Sequence, residues 1–198
     1  GSGKTVLIKT LMGINIPESG QVVIDGTDIF ADRSGQHNFA MVFQNAALLD
    51  SFTIFQNVAL PLYERGQKDY DKVLAKVKDC LQIVGLPDIL DKYPSELSGG
   101  MRKRVGIARA LVYDPDYIIF DEPLSGLDPI TAKEVLFYIT RIIESKLATT
   151  ITITHEIRNL EAIGDRVLFL ESGRQLFYGS VAELKQSGDP LLRQFMDS

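Results

Sequence analysis

SELSGGMRKRVGIARALVYDPDYIIFDEPLSGLD, residues Ser95–Asp128, holds two pieces of chemistry joined by one helix. Leu97–Met101 is polar and glycine-rich, and apolar residues then recur at helical spacing at Val105, Ala108, Leu111 and Val112. Ser98 is placed to cap that helix, with Gly99 and Gly100 leaving bare backbone N–H groups beside it. A helix start of this kind binds anions through its orphan donors and the positive end of its dipole. Asp114-Pro115 ends the helix, and Tyr117-Ile118-Ile119-Phe120 predicts a buried parallel strand running into Asp121-Glu122. Carboxylates at the C-terminal end of such a strand lie where open α/β sheets place ligands. An anion site followed so closely by two acids points to phosphate and a cation.

Downstream, Asp128-Pro129 supplies an N-cap and an N1 proline for a helix carrying Val135, Leu136, Ile139, Ile142 and Ile143. Thr149–Thr154 alternates Thr and Ile as a half-buried strand, ended by His155. Arg166–Leu170 and Gln175–Tyr178 flank Glu171-Ser172-Gly173 as a hairpin, and Ser180 with Glu183 forms a capping box for a last pair of helices. Upstream, Tyr70, Val73, Leu74, Val77, Leu81 and Val84 share one helix face closed by Gly85. Shorter helical pieces broken at Pro61, Pro87 and Pro94 surround it, so residues 45–97 read as a helical subdomain inserted between Gln44 and the LSGG stretch. Phe39–Phe43 reads as a strand leading into Gln44, and Gly20–Gly26 as a strand between two turns.

The first residues, Gly1-Ser2-Gly3-Lys4-Thr5, open into a helix whose apolar stripe is Leu7, Ile8, Leu11 and Met12, with Gly13 at its C′ position. Gly3, Lys4 and Thr5 match the last three positions of a phosphate loop, G-x-x-x-x-G-K-[ST]. In such a loop backbone N–H groups wrap the β-phosphate, the lysine bridges β- and γ-phosphates, and the hydroxyl ligates Mg²⁺. Half a motif by itself also reads as a glycine turn capping a helix.

Composition bounds the rest. The chain has 198 residues, 45% hydrophobic and 24% charged, which suits a globular protein with one sizeable core. A net charge of −5 argues against a nucleic-acid surface, and Arg102-Lys103-Arg104 reads as a solvated helix face. His37 lies in a polar loop and reads as solvated, whereas Cys80 sits beside an apolar stripe as a small core residue. That single cysteine fits a reducing cytosol. No apolar run approaches the ~18 residues of a bilayer span, so a link to a membrane would come through a partner.

GSGKT, VFQ at Gln44, LSGGM, YIIFDEP, SGLD and ITH at His155, in that order, resemble the ATP-binding cassette (ABC) ATPases over the whole chain. The resemblance implies an α/β fold of the P-loop NTPase (RecA-like) type: a mostly parallel sheet flanked by helices, with an inserted helical subdomain and a small antiparallel β part. Residues 1–44 and 98–198 would form the nucleotide-binding core and 45–97 the helical subdomain of a single domain. ATP and Mg²⁺ would be held by Gly1, Ser2, Gly3, Lys4 and Thr5. In the head-to-tail homodimer that the family forms, Ser98, Gly99 and Gly100 would meet the partner's γ-phosphate, and Asp128 would communicate across the dimer. Asp121 would hold Mg²⁺ through water, Glu122 would act as general base, His155 would contact the γ-phosphate, and Gln44 would sense Mg²⁺ and relay to the helical subdomain.

A narrower resemblance rests on Met101, where most cassette ATPases carry Gln, and on PSELSGGMRKR, VFQNAALLDSFTIFQNVALPL and DPLLRQFMD. These stretches are similar to the ATPase subunits of Mla/Mce-type phospholipid transporters. That implies integral membrane permease subunits, a possible small STAS-type subunit on the helical domain, no nucleic acid, and a cytoplasmic position on the inner face of the cell membrane. Residues 45–60 would line the groove for a permease helix, with Ala46, Ala47, Leu48, Leu49, Phe52 and Phe55 as its apolar surface. The alternatives are an ATPase of another transporter class, a soluble cassette ATPase of repair or translation, and a nucleotide-gated module without turnover. The first glycine of the phosphate loop, the first strands and an adenine-stacking aromatic would lie upstream of residue 1, so weak ATP binding by these residues alone is expected.

Overall fold

Three apolar runs form the parallel sheet of the computed structural model, which describes residues 2–31, 37–145, 147–155 and 160–196. The chain divides into two compact units, Asn38–His155 and Gly1–His37 with Glu156–Ser198.

In the first of these, β3 (Phe39–Val42), β4 (Tyr117–Asp121) and β5 (Thr149–Ile153) lie in the order β3-β4-β5, all parallel. Ile118, Ile119 and Phe120 of the central strand are fully buried, as its unbroken apolar run predicts. Each such side chain contributes roughly 1.5–3 kcal/mol of burial, which makes β4 a firmly held support for the residues at its end. Its C-terminal end carries Asp121 and Glu122.

Helices α2 (Ile54–Glu64), α3 (Tyr70–Ile83), α4 (Gly99–Leu111) and α5 (Pro129–Glu144) belong to the same unit, and α4 packs against the other three and against β3. The caps are those predicted: Ser98 Oγ accepts from Met101 N at 3.2 Å, and the Asp128 carboxylate accepts from Ile130 N and Thr131 N, both at 3.1 Å. Val73, Val77, Cys80 and Leu81 form the buried stripe of α3, and Gly85 follows it at φ 69°. Burial pushes the Cys80 thiol up to about 11, so it behaves as a core side chain and not a nucleophile.

Pro61 does not break its helix. It sits inside α2. The Thr53–Gln56 capping box starts that helix, and Ile54, Val58 and Ala59 are buried as it packs on α3 and α4, so packing outweighs the one hydrogen bond a proline removes. A short 3₁₀ turn, Pro94–Glu96, leads to the start of α4.

The other unit holds α1 (Lys4–Leu11), the antiparallel pairs β1 (Val23–Ile24) with β2 (Thr27–Asp28) and β6 (Arg166–Glu171) with β7 (Arg174–Ser180), and α6 (Leu160–Ile163), α7 (Val181–Lys185) and α8 (Pro190–Met196). The β6–β7 hairpin and the Ser180–Glu183 capping box stand as predicted. The strand expected over Gly20–Gly26 is shorter. Asp25 and Gly26 have φ 49° and 81° and are the two turn residues between β1 and β2, an Asp-Gly hairpin signal that the longer strand reading absorbed. His37 is not solvated: its side chain is 16% exposed, with Nδ1 at 3.7 Å from the Asp25 carboxylate.

Candidate functional site

The phosphate-loop residues lie in the unit that holds α1. Gly3 stands at the N-cap of α1 with φ 94°, a left-handed conformation that glycine adopts without strain, and it makes no side-chain cap bond. The N–H groups of the first turn of α1 therefore have no cap oxygen from Gly3. Lys4 and Thr5 are exposed at that end, and Lys4 Nζ donates to Ser2 Oγ at 3.1 Å. The Ser2 carbonyl accepts from Gly173 N at 3.3 Å, which anchors the loop to the β6–β7 turn. Bare N–H groups, an ammonium and a hydroxyl at one helix start are a donor set that fits a nucleotide phosphate with its magnesium. Gly1 lies outside the described residues.

At the end of β4 the chain turns sharply. Glu122 has φ 46°, unusual for a residue with a side chain, at a cost of about 1–3 kcal/mol. Its N–H donates to Ile153 O at 2.9 Å, and its own carbonyl accepts from Ser125 N at 3.2 Å. This turn brings the Glu122 carboxylate, 16% exposed, to 2.9 Å from Nδ1 of His155, which is 63% exposed. A carboxylate only accepts, so the proton of this contact sits on Nδ1. Gln44, just past β3, donates from Nε2 to Ser125 Oγ at 3.1 Å. Gln44, Glu122 and His155, far apart in sequence, thus meet through one turn, with half-buried Asp121 beside them.

Ser98, Gly99, Gly100 and Asp128 gather at the adjoining starts of α4 and α5. A Cβ on Gly100 would come within 2.2 Å of Thr131 Cγ2, so this glycine lets the two helix starts approach. Thr131 Oγ1 donates to Asp128 Oδ2 at 2.5 Å. That bond, then the backbone donors of the α5 start, hold the Asp128 carboxyl below the usual aspartate range. A depressed folded-state value means the cap's contribution is present above the unfolded value near 3.8 and is lost as pH falls through the folded one. Accordingly, Asp128→Ala lowers the melting temperature at pH 7, and the difference from wild type shrinks on going to pH 3; an equal difference at both would overturn the charge-based account.

The segment after Gln44 is held in a strained form. Ala46 and Ala47 have φ 57° and 47°, and Arg109 donates to their carbonyls at 2.6 and 2.7 Å. Burial pulls the Arg109 guanidinium below its ordinary value, and these two carbonyls offset the desolvation. Buried Asn57 accepts from Leu49 N at 2.8 Å and donates to the carbonyls of Leu49, Phe52 and Thr53. A cavity of about 500 Å³ lies beside this segment, lined by Phe43, Ala47, Leu49, Pro61, Arg65 and Tyr113 among others. The apolar surface expected there changes in part: Ala46 is buried under Gly106, and Phe55 turns to Tyr70 at 5.6 Å, so neither lines the cavity, nor do Leu48 and Phe52.

The Arg102-Lys103-Arg104 run is also corrected. Only Arg102 is exposed, whereas Lys103 and Arg104 are each 8% exposed. Lys103 reaches the turn after β4, and Arg104 donates to Val84 O at 3.2 Å and lies 3.6 Å from Glu134. Sequence reasoning reads Lys103 as solvated and misses Asn57, Arg109 and Ser125. A lysine and an arginine on the buried side of a helical stripe were the available signal.

This strand-end site, the phosphate loop and the parallel sheet define a P-loop nucleotide-binding domain. The profile of the ABC transporter family matches residues 1–125, and the chain belongs to that family. It is 38% identical over 202 aligned positions to "Probable ribonucleotide transport ATP-binding protein mkl" of Mycobacterium leprae, covering all of this chain and 58% of the relative. It is 37% identical over 204 positions to the methionine import ATP-binding protein MetN of Carboxydothermus hydrogenoformans, covering all of this chain and 60% of that protein. The chain thus spans well under two thirds of either relative. Its fold matches the ATP-binding cassette MJ0796, solved as a dimer in a post-hydrolysis state bound to ADP and Pi, with a TM-score of 0.77 and 27% identity over 91% of this chain and 81% of that one.

Proposed function

We propose that this chain is the ATP-hydrolysing part of an ABC transporter, working as a head-to-tail homodimer beneath integral membrane permease subunits. The observation that carries the reading is the 2.9 Å contact between His155 Nδ1 and the half-buried Glu122 carboxylate at the end of the central strand. Glu122 takes a proton from the attacking water as the new bond to the γ-phosphorus forms and the bond to the β-phosphate oxygen breaks. His155 holds that carboxylate and faces the γ-phosphate. Ser2, Gly3 and Lys4 bind the nucleotide phosphates, together with Gly1 upstream. Thr5 and Asp121 would hold Mg²⁺, with Gln44 sensing it; when bound, the ion neutralises charge on the β- and γ-oxygens. Ser98, Gly99 and Gly100 face the partner's nucleotide, and Asp128 lies at the dimer seam. Catalysis of this kind is mainly positioning and electrostatic stabilisation.

In this reading residues 45–97 act as a helical subdomain, and the cavity beside Ala47 receives a permease helix. The proposed position is cytoplasmic, on the inner face of the membrane beneath the permease; among the described residues no helix is long and apolar enough to cross a membrane. The cargo we propose is phospholipid, supported by Met101 within LSGGMRKR and by the stretch after Gln44, with a small STAS-type subunit as a further partner. A second reading, transport of a ribonucleotide or import of methionine, is favoured by the names of the relatives.

The test is ATP hydrolysis by the intact protein with its permease in phospholipid vesicles. Turnover that rises with permease and moves labelled phospholipid between membranes supports the lipid reading. Uptake of labelled methionine or ribonucleotide, with lipid left in place, replaces it with the second, and turnover indifferent to permease overturns both.

A further inference from the structure

We propose that Lys103 is a positioning residue for the Glu122 turn, an inference that rests on the reading of Glu122 as the base. Lys103 lies on α4 about one and a half turns beyond the Ser98 cap, and it is buried. Burying an ammonium is costly unless acceptors replace its water. Here Nζ donates to Ser125 O at 2.6 Å, with a longer and weaker contact to Glu122 O at 3.4 Å. A charge-assisted bond of 2.6 Å is a strong one and carries most of the hold.

The place it holds explains the use of a charge. Glu122 is in the left-handed region, and a residue with a side chain persists there only where its surroundings over-determine it. Ile153 O fixes its N–H from β5, and Ser125 N closes the turn from within. Lys103 supplies the third restraint, from the helix whose first residue follows Ser98. Ser125 also accepts from Gln44 on its hydroxyl. The ammonium therefore ties α4 to the turn on which Gln44, Glu122 and His155 meet. A displacement of the α4 start is passed to the Glu122 carboxylate through this side chain, without contact between Lys103 and the nucleotide.

The experiment compares Lys103→Met and Lys103→Gln with wild type in the intact protein, reading kcat and KM for ATP separately and following backbone hydrogen exchange of residues 122–127. Losing the restraint lets Glu122 wander, and a misplacement of about 1 Å costs on the order of tenfold to a hundredfold in rate. Lys103→Met is expected to lose kcat by about that factor with KM unchanged and exchange accelerated at 122–127. Lys103→Gln keeps a donor and is expected to fall between Met and wild type. A Met variant within about twofold of wild type in kcat, or a rise in KM with kcat kept, overturns the inference. If the Met variant does not fold, exchange in the Gln variant decides: faster at 122–127 alone supports the role, and unchanged exchange overturns it. Glu122→Gln is run alongside. Full turnover in Glu122→Gln removes the base and this inference with it, whereas turnover lost there but kept in Lys103→Met overturns the positioning role alone.

Discussion

With Glu122 as the base we propose, Glu122→Gln is expected to lower kcat for ATP hydrolysis by about 10²–10⁴-fold, the contribution of a positioned general base, while leaving the melting temperature and nucleotide affinity near wild type. The substitution keeps size and hydrogen-bonding shape, and what it removes is proton acceptance. Glu122 is only 16% exposed, held by a strained turn and faced by His155, so its carboxylate has one orientation to offer an attacking water. His155→Ala is expected to lower kcat as well, since the carboxylate loses the Nδ1–H partner at 2.9 Å that orients it. The two substitutions act on one unit, so the double variant is expected to be little worse than Glu122→Gln alone. Steady-state rates for the three variants check this. Additive losses would show that His155 works apart from Glu122.

Gly100→Ala is the second large effect, and here stability and chemistry separate. Alanine in a helix gains up to ~1 kcal/mol over glycine from propensity, and less in a first turn. Against that, its Cβ would lie 2.2 Å from Thr131 Cγ2, an overlap that forces α4 and α5 apart and costs about 1–3 kcal/mol. The clash wins. Thr131→Ser removes that methyl and keeps the hydroxyl bond to Asp128, so it is mild alone and should restore the denaturation midpoint of Gly100→Ala when combined with it. Turnover supplies the second readout. If the bare backbone at Gly100 also meets a partner's phosphate, the double variant regains stability and stays slow. A double variant that recovers both confines Gly100 to helix packing, and a midpoint unmoved by Thr131→Ser would sink the clash account.

Much of the fold was legible in the chain because it is written in local terms. The caps at Ser98, Asp128 and Ser180 pair a side chain with N–H groups two or three residues on, and the unbroken apolar run of β4 predicts burial on both faces. The motif order from Lys4 to His155 likewise places the candidate phosphate loop, acid pair and strand-end histidine at the starts and ends of elements. Proline and polar-run rules gave less. Pro61 stays within α2 because that helix is held by packing, and Lys103 and Arg104 are buried because acceptors wait for them at Ser125 and Val84.

By itself the sequence determined most of the segments that are helix or strand and how they are capped, and it marked the candidates for phosphate-type chemistry, since periodicity, capping and motif spacing depend on neighbours within a few positions. Only the tertiary structure decided that Glu122 turns through a left-handed conformation to meet His155, that Gly100 is pressed against Thr131, and that Arg109 pins Ala46 and Ala47. Those contacts join residues 31 to 63 positions apart, and nothing in the spacing of either partner specifies the other. They exist because buried N–H, carbonyl and charged groups must find partners wherever the packed elements bring them.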